Sequence, residues 1–259
     1  MNNKIIWITG ATSGIGEELS LQLSHLGAKI ILSARRVEEL ERVKSKCKSE
    51  VLVLPLDLND PDSFDDKVMK AIAHFGRIDY LINNGGISQR SLASETPLEL
   101  DRKIMEVNYF GNIALSKAVL PVFKRQKSGV FIVVSSLSGK FGFFLRSAYA
   151  ASKHALVGFY ESLRLEEEKN GIKVSLVFPG LIKTNISQNA LSKDGKSHGE
   201  LDNNQAKGIT AEKCAQQIIK GIQKEQLEIF TGAGELKAIT IKRFFPKLFH
   251  KIIRKQNPT

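Results

Sequence analysis

The stretch TGATSGIG, Thr9 to Gly16, directly follows the apolar run KIIWI at residues 4–8 and leads into an amphipathic segment. Gly10 lets the chain turn sharply off a strand. Gly14 and Gly16 lack the Cβ that would hold a pyrophosphate, or the sheet, at a distance. A helix starting there offers unpaired N–H groups and a partial positive charge to phosphate. Thr12, Ser13 and Ile15 join the three glycines as candidate cofactor contacts. The spacing is G-x-x-x-G-x-G, not the commoner dinucleotide pattern G-x-G-x-x-G. Alone it leaves a purely structural turn open.

Outward from this turn, six more short runs rich in Val, Ile and Leu follow the first at 4–9: 28–33, 51–56, 78–83, 130–135, 173–178 and 227–231. Most are apolar throughout rather than alternating, as strands buried on both faces of a parallel sheet must be. Segments of 3.6-residue periodicity lie between them, for example Leu19, Leu23 and Leu26 before Gly27. The expected fold is α/β: a Rossmann-like, doubly wound sheet of seven mainly parallel strands with helices on both faces. Ligands bind such sheets at the carboxyl ends of the strands.

The 259 residues contain no linker, repeat or low-complexity tract, so a single catalytic domain over 1–235 and a tail over 236–259 are expected. Cys47 and Cys214 form no metal or redox spacing, no run is long enough to span a bilayer, and no metal site is expected. A strand begins within three residues of Met1, leaving no room for a signal peptide, and a cytoplasmic location is expected. The net charge of +11 belongs largely to the tail. Lys237, Lys242, Arg243, Lys247, Lys251, Arg254 and Lys255 come without an acid, so the pI gives no ground for nucleic-acid binding.

The second strand selects the cofactor. It ends ILSARRVEEL, where a dinucleotide fold meets the adenosine ribose; a carboxylate there would favour NAD. The sequence has Arg35 and Arg36 instead, and a guanidinium can grip a 2′-phosphate with paired, charge-assisted hydrogen bonds. NADP(H) is expected over NAD(H), with Arg35 the first choice. The bland alternative is that both arginines open a solvated helix beside Glu38 and Glu39. Asp57, with Leu58, could meet the adenine edge or cap the next helix.

YAASK places Tyr149 and Lys153 four residues apart on one helix face. A phenol near its usual pKa of about 10 is a poor acid–base catalyst at neutral pH, and a neighbouring ammonium favours the phenolate. Ser136, at the end of the fifth strand, could donate to a substrate carbonyl while Tyr149 delivers the proton. Most Tyr–Lys pairs at this spacing are surface contacts; this one gains weight from the glycine turn and the topology around it.

Thr9-Gly10, Gly14, Gly16, Asn83-Asn84-Gly85, Asn108, Ser136, Tyr149, Lys153 and Pro179-Gly180, in this order and spacing, resemble the short-chain dehydrogenase/reductase family. RIDYLINNGGISQRSL and LSARRVEELERVK resemble its dehydrogenase/reductase member 7 branch. The resemblance implies an NAD(P)-dependent oxidoreductase acting on a carbonyl or secondary alcohol, usually as a homodimer or homotetramer. It makes Tyr149 the acid/base and gives Lys153 the nicotinamide ribose. Ser136 would orient the substrate oxygen, Asn108 would hold a relay water, and Thr184 would reach the carboxamide. Asn84, Gly85, Pro179, Gly180 and Ile182 would complete the cofactor floor. The family's usual Asn-Asn-Ala-Gly is Asn83-Asn84-Gly85-Gly86 in this chain, a change that removes no functional group.

Ser138, Phe143 and Phe144 are the expected substrate contacts, and with Phe141 and Leu145 they point to a hydrophobic substrate. Packing of these rings under a neighbouring subunit is the alternative. The polar segment 185–208 reads as a lid. In PKLFHKIIRK, Leu248, Phe249, Ile252 and Ile253 form a stripe edged by cations, suited either to an anionic membrane surface or to packing on protein. A 3-oxoacyl-thioester reductase and, more remotely, a non-catalytic dinucleotide sensor are the competing functions; a methyltransferase would leave the Tyr–Lys pair and Arg35 unexplained.

Overall fold

A computed structural model describes residues 1–200, 202–256 and 258. Within its seven-stranded sheet, β1 (Ile5–Thr9) is flanked on one side by β2 (Lys29–Ser33) and then β3 (Val51–Val53). On the other side follow β4 (Tyr80–Asn83), β5 (Gly129–Val134) and β6 (Ile172–Pro179). A two-residue parallel ladder of β7 (Ile182–Lys183) and β8 (Ile209–Thr210) stands apart, and β9 (Glu228–Thr231) completes the main sheet beyond β6. All six pairings of the seven-stranded sheet are parallel. Chain order reverses between β1 and β4, which opens the crevice where α/β sheets take ligands.

The seven apolar runs all carry strands. The third is shorter than its apolar run because Pro55 has no N–H for the ladder, although Leu54 and Leu56 still donate to Leu32 and Ala34 carbonyls. Successive side chains of a strand face opposite ways. Trp7 therefore enters one core with Phe131 and Leu176, while Ile6 and Ile8 enter the other with Ile30 and Leu32. The first core is covered by α3 (Phe64–Phe75), α5 (Gly111–Gln126) and α6 (Ser147–Glu167). The second lies under α1 (Gly14–His25), α2 (Val37–Lys44) and α8 (Ala211–Gln223). This two-sided burial explains why the runs are continuous rather than alternating.

Of the remaining helices, α4 (Leu98–Met105) reaches α5 through a π-helical turn, Glu106–Phe110. A short α7 (Asn203–Ala206) lies in the 185–208 segment. The tail forms α9 (Lys237–Phe244) and α10 (Pro246–Ile253), whose Ile239, Phe249 and Ile253 pack on the first core. Leu201 of the expected lid, and Asn257 and Thr259 of the tail, lie outside the described residues.

Candidate active site

Each functional segment emerges from the carboxyl end of a strand. After β1, Gly10 and Gly14 take left-handed backbone conformations, with φ of +64° and +57°. A Cβ on Gly16 would stand 2.2 Å from the Gly10 carbonyl oxygen, so the turn closes only around glycine. Asn84, at the end of β4, braces the turn: its Nδ2 donates to the carbonyls of Thr9 and Gly10 at 3.1 and 3.2 Å. Thr9 Oγ1 in return accepts from the N–H groups of Asn84 and Gly85, both at 3.0 Å. Asn84 thus shapes the cradle besides lining the cavity behind it.

The cradle fits the phosphates of a dinucleotide. Exposed Ser13 caps α1 without using its side chain, leaving hydroxyl and helix terminus open to an anion. Thr12 is nearly buried, and Ile15 lines the cavity. Across the cleft, Thr184 Cγ2 lies 3.0 Å from where a Gly14 Cβ would be, while Pro179, Gly180 and buried Ile182 form the adjoining wall. Arg35 and Arg36 are exposed at the tip of β2, with no ion pair among the described residues. The neighbouring Arg42 is different: it pairs with Glu17 at 2.7 Å and donates to the Thr12 carbonyl at 2.9 Å. It fastens α2 to the glycine turn, a role the sequence did not reveal. Asp57 accepts from the Asn59 backbone N–H, and Leu58 is buried next to Gly85.

Ser136, Tyr149 and Lys153 converge on one cavity of about 510 Å³. Ser136, two residues past β5, caps a short 3-10 turn, its Oγ accepting from Ser138 N–H at 3.1 Å. Tyr149 lies in the first turn of α6, and Lys153 one turn on, where its Nζ donates to the Val134 carbonyl at 2.8 Å. Asn108, fully buried in the π turn, reads both backbone groups of Ile87 and donates to Ser152 Oγ. A Cβ on Gly86 would be 3.0 Å from Asn108 Oδ1 and 3.6 Å from Lys153 Nζ, so all three meet at one point.

Burial lowers the Lys153 ammonium to about 8. Burial also pushes the Tyr149 phenol up; hydrogen bonding with Ser136 and the charges of Arg90 and Arg146 pull it back. Arg90 and Arg146 thus join the lysine as cations acting on the phenol. Lys153 Nζ is 5.7 Å from the tyrosine ring centre and bonded to the Val134 carbonyl, and both arginines line the same cavity as the phenol.

Those arginines were not read from the sequence. Arg90, from the loop after β4, grips Asp202 through Nε and Nη2, the shortest contact being 2.6 Å. Arg146, immediately before α6, reaches the same carboxylate at 2.5 Å. Arg90 and Asp202 side chains are 2% and 0% exposed, and Arg146 11%. Burial and Arg90 lower the Arg146 guanidinium to about 10 against the opposing pull of Asp202. Segment 185–208 is tied down at this triad and at Leu191, which exchanges backbone hydrogen bonds with Ser88 and Arg90.

Of the expected substrate contacts, Ser138 and Phe143 line the cavity. Phe144 does not: it turns outward, 39% exposed, edge-on to Phe143. Phe141 lines the wall and meets Phe249 of α10 edge-on, ring centres 5.1 Å apart, with Ile252 and Ile253 of the tail in the same wall. The tail's apolar stripe is therefore split: Phe249 and Ile253 face the body, while Leu248 and Ile252 remain 48% and 41% exposed. Glu235, also missed, accepts from the N–H groups of Leu181 and Ala233 and fixes the turn after β6.

The fold and this convergence define a nucleotide-dependent oxidoreductase. The family model described as short chain dehydrogenase matches residues 4–195, and the chain belongs to the short-chain dehydrogenase/reductase family. Its relatives place it in the dehydrogenase/reductase member 7 branch. It is 41% identical over 261 residues to the dehydrogenase/reductase SDR family protein 7-like of Drosophila melanogaster, covering 98% of this chain and 80% of that one. The human dehydrogenase/reductase SDR family member 7 is 42% identical over 250 residues, covering 93% and 73%. Among solved structures, a short-chain dehydrogenase from Streptomyces avermitilis superposes with a TM-score of 0.81 at 28% identity, covering 98% of each chain. The protein is accordingly an NAD(P)-dependent oxidoreductase.

Proposed function

We propose that the enzyme interconverts a hydrophobic carbonyl compound and its secondary alcohol, with NADP(H) as partner and Tyr149 as acid/base. The convergence of Ser136, Tyr149 and buried Lys153 on a largely apolar cavity carries this reading. The nicotinamide supplies or accepts the hydride when bound. Ser136 Oγ, anchored by Ser138 N–H, orients the substrate oxygen; Tyr149 hands it a proton in reduction and takes one in oxidation. Lys153 holds the nicotinamide ribose, and Asn108 keeps the loop at Ile87 in place beside the proton path. Arg35 and Arg36 select the 2′-phosphate, being exposed and unpaired where that group would lie. Tyr149→Phe should lower kcat by about 100- to 10,000-fold, the usual worth of a general acid, while NADPH quenching of Trp7 or direct calorimetry shows binding retained. A variant keeping most of its turnover overturns the proton-donor role.

The assembly proposed is a homodimer or homotetramer, for which exposed Leu98 and Phe110 offer an apolar face; light scattering after gel filtration tests it. The location proposed is cytoplasmic with peripheral membrane contact through the tail. Phe244 and Phe245, 65% and 61% exposed among Lys242, Arg243 and Lys247, support this. Phe244→Ser/Phe245→Ser should release the protein from anionic vesicles in sedimentation, and unchanged binding counts against the tail.

A further inference from the structure

The polar triad of the cavity is electrically incomplete. Arg90 and Arg146 share one carboxylate, Asp202, and all three line the cavity that holds Tyr149. Among the described residues, two cations against one anion leave a surplus positive charge in a space whose wall is otherwise mostly apolar. Buried charges are ordinarily paired, because an unpaired one loses its hydration without compensation. Among the described residues, the other charged groups facing the cavity do not supply the missing anion. Lys153 and Lys237 add positive charge, and Glu235 has one oxygen on Leu181 N–H and the other on Ala233 N–H.

The two arginines also differ in what they have left to give. Arg90 is committed on every side: Nε and Nη2 to Asp202, Nη1 to Ser88 Oγ and the Gln89 carbonyl. Arg146 uses Nη1 on the carbonyls of Phe144 and Pro258 and Nη2 on Asp202, but among the described residues its Nε has no partner. Phe143 flanks it, the guanidinium carbon 5.2 Å from the ring centre. Gln205, on the same wall, keeps a buried Oε1 without a partner; with its amide turned over, that place presents a donor.

We propose that this is the seat of an anionic group on the substrate, a carboxylate, held by Arg146 a short distance from the reacting carbonyl while Arg90 and Asp202 fix the guanidinium. The preferred substrates are then oxo acids with an apolar body, not neutral ketones. This deepens the reading of the site as a carbonyl reductase and rests on it.

The test compares 4-formylbenzoate with its methyl ester under NADPH. The ester is the more electrophilic aldehyde, so chemistry alone favours it. We expect kcat/KM for the acid to exceed that for the ester by about tenfold or more, the scale of a hydrogen bond to a charged group. Arg146→Met should collapse the ratio toward one, and Arg146→Lys, which keeps the charge, should recover part of it. Reduction of both aldehydes at a ratio of one or below, or a ratio untouched by Arg146→Met, overturns the anionic seat and leaves the oxidoreductase reading standing. Turnover of neither compound counts against the carbonyl-reductase reading. The seat is then decided by calorimetry on the NADP+-saturated protein with 4-tert-butylbenzoate against 4-tert-butylbenzamide, and equal affinities overturn it.

Discussion

The two ends of the active-site cleft are built in opposite ways. At the cofactor end, backbone does the work: Gly10, Gly14 and Gly16 shape the turn within seven residues, and its side-chain braces, Asn84 and Arg42, hold carbonyl oxygens. At the substrate end, side chains do it, and they come from afar: Arg90 and Asp202 are 112 positions apart, Arg146 and Asp202 56. A site made of backbone tolerates change in the groups that merely touch the ligand. A site made of buried charge ties ligand recognition to folding.

The largest effect that could break this comparison is Asp202→Asn. It strands two buried guanidiniums, and losing one partner of a buried ion pair typically costs about 3–5 kcal/mol. Urea unfolding should show a loss of that order, together with release of segment 185–208 to proteolysis. A midpoint unchanged from the parent would mean the triad holds nothing together.

Next in size is the pH response of Lys153. Its ammonium is lowered from 10.5 to about 8 in the folded chain, a difference worth about 3 kcal/mol. Below about pH 8 both folded and unfolded chains carry the charge, so the folded state bears the whole burial penalty. Between about 8 and 10.5 the folded chain has lost the proton that the unfolded chain still binds, and stability rises with pH. Lys153→Met should therefore be the more stable protein at pH 7, with the advantage fading as pH climbs through that window. Parallel stability curves for the two proteins would show that the lysine is better solvated than its surroundings allow.

The smallest effect belongs to the cofactor end. Arg35→Ala should cut the preference for NADPH over NADH by about tenfold, in keeping with the loss of a charge-assisted phosphate contact. Because Arg35 is exposed and unpaired among the described residues, its removal should change the free energy of unfolding by no more than about 0.5 kcal/mol. Equal affinities for the two cofactors in the parent would take Arg35 out of the recognition altogether. A large stability loss would instead blur the contrast between the two ends.

The same contrast explains what the sequence disclosed. The strands were visible because burial on both faces makes each an unbroken apolar run, and the cradle because its glycines are neighbours. Tyr149 and Lys153 were visible at one helical turn's spacing. Arg90 and Asp202 were not, since each sits in a polar loop where a charged residue is unremarked until the fold joins them. The aromatic loop was legible as apolar but not in its directions: Phe143 faces the cavity, Phe144 faces out, and Phe141 meets a helix more than a hundred residues away. The tail's stripe was legible as well, whereas which of its residues pack on the body emerges only with the fold: Phe249 and Ile253 do, and Leu248 stays exposed.

The π turn at Glu106–Phe110 gives the site one more property. Such a turn is a helix holding one residue too many, and Asn108 sits inside that surplus. Its orientation is therefore stored in a length of chain and not only in an amide. Deleting one neighbour, such as exposed Phe110, would leave every group of the catalytic set present in the sequence. Yet it would wind the helix back to regular pitch and swing either Asn108 or the whole of α5 through about 100°. In this enzyme the deletion of a residue that touches no ligand can be as final as losing the tyrosine.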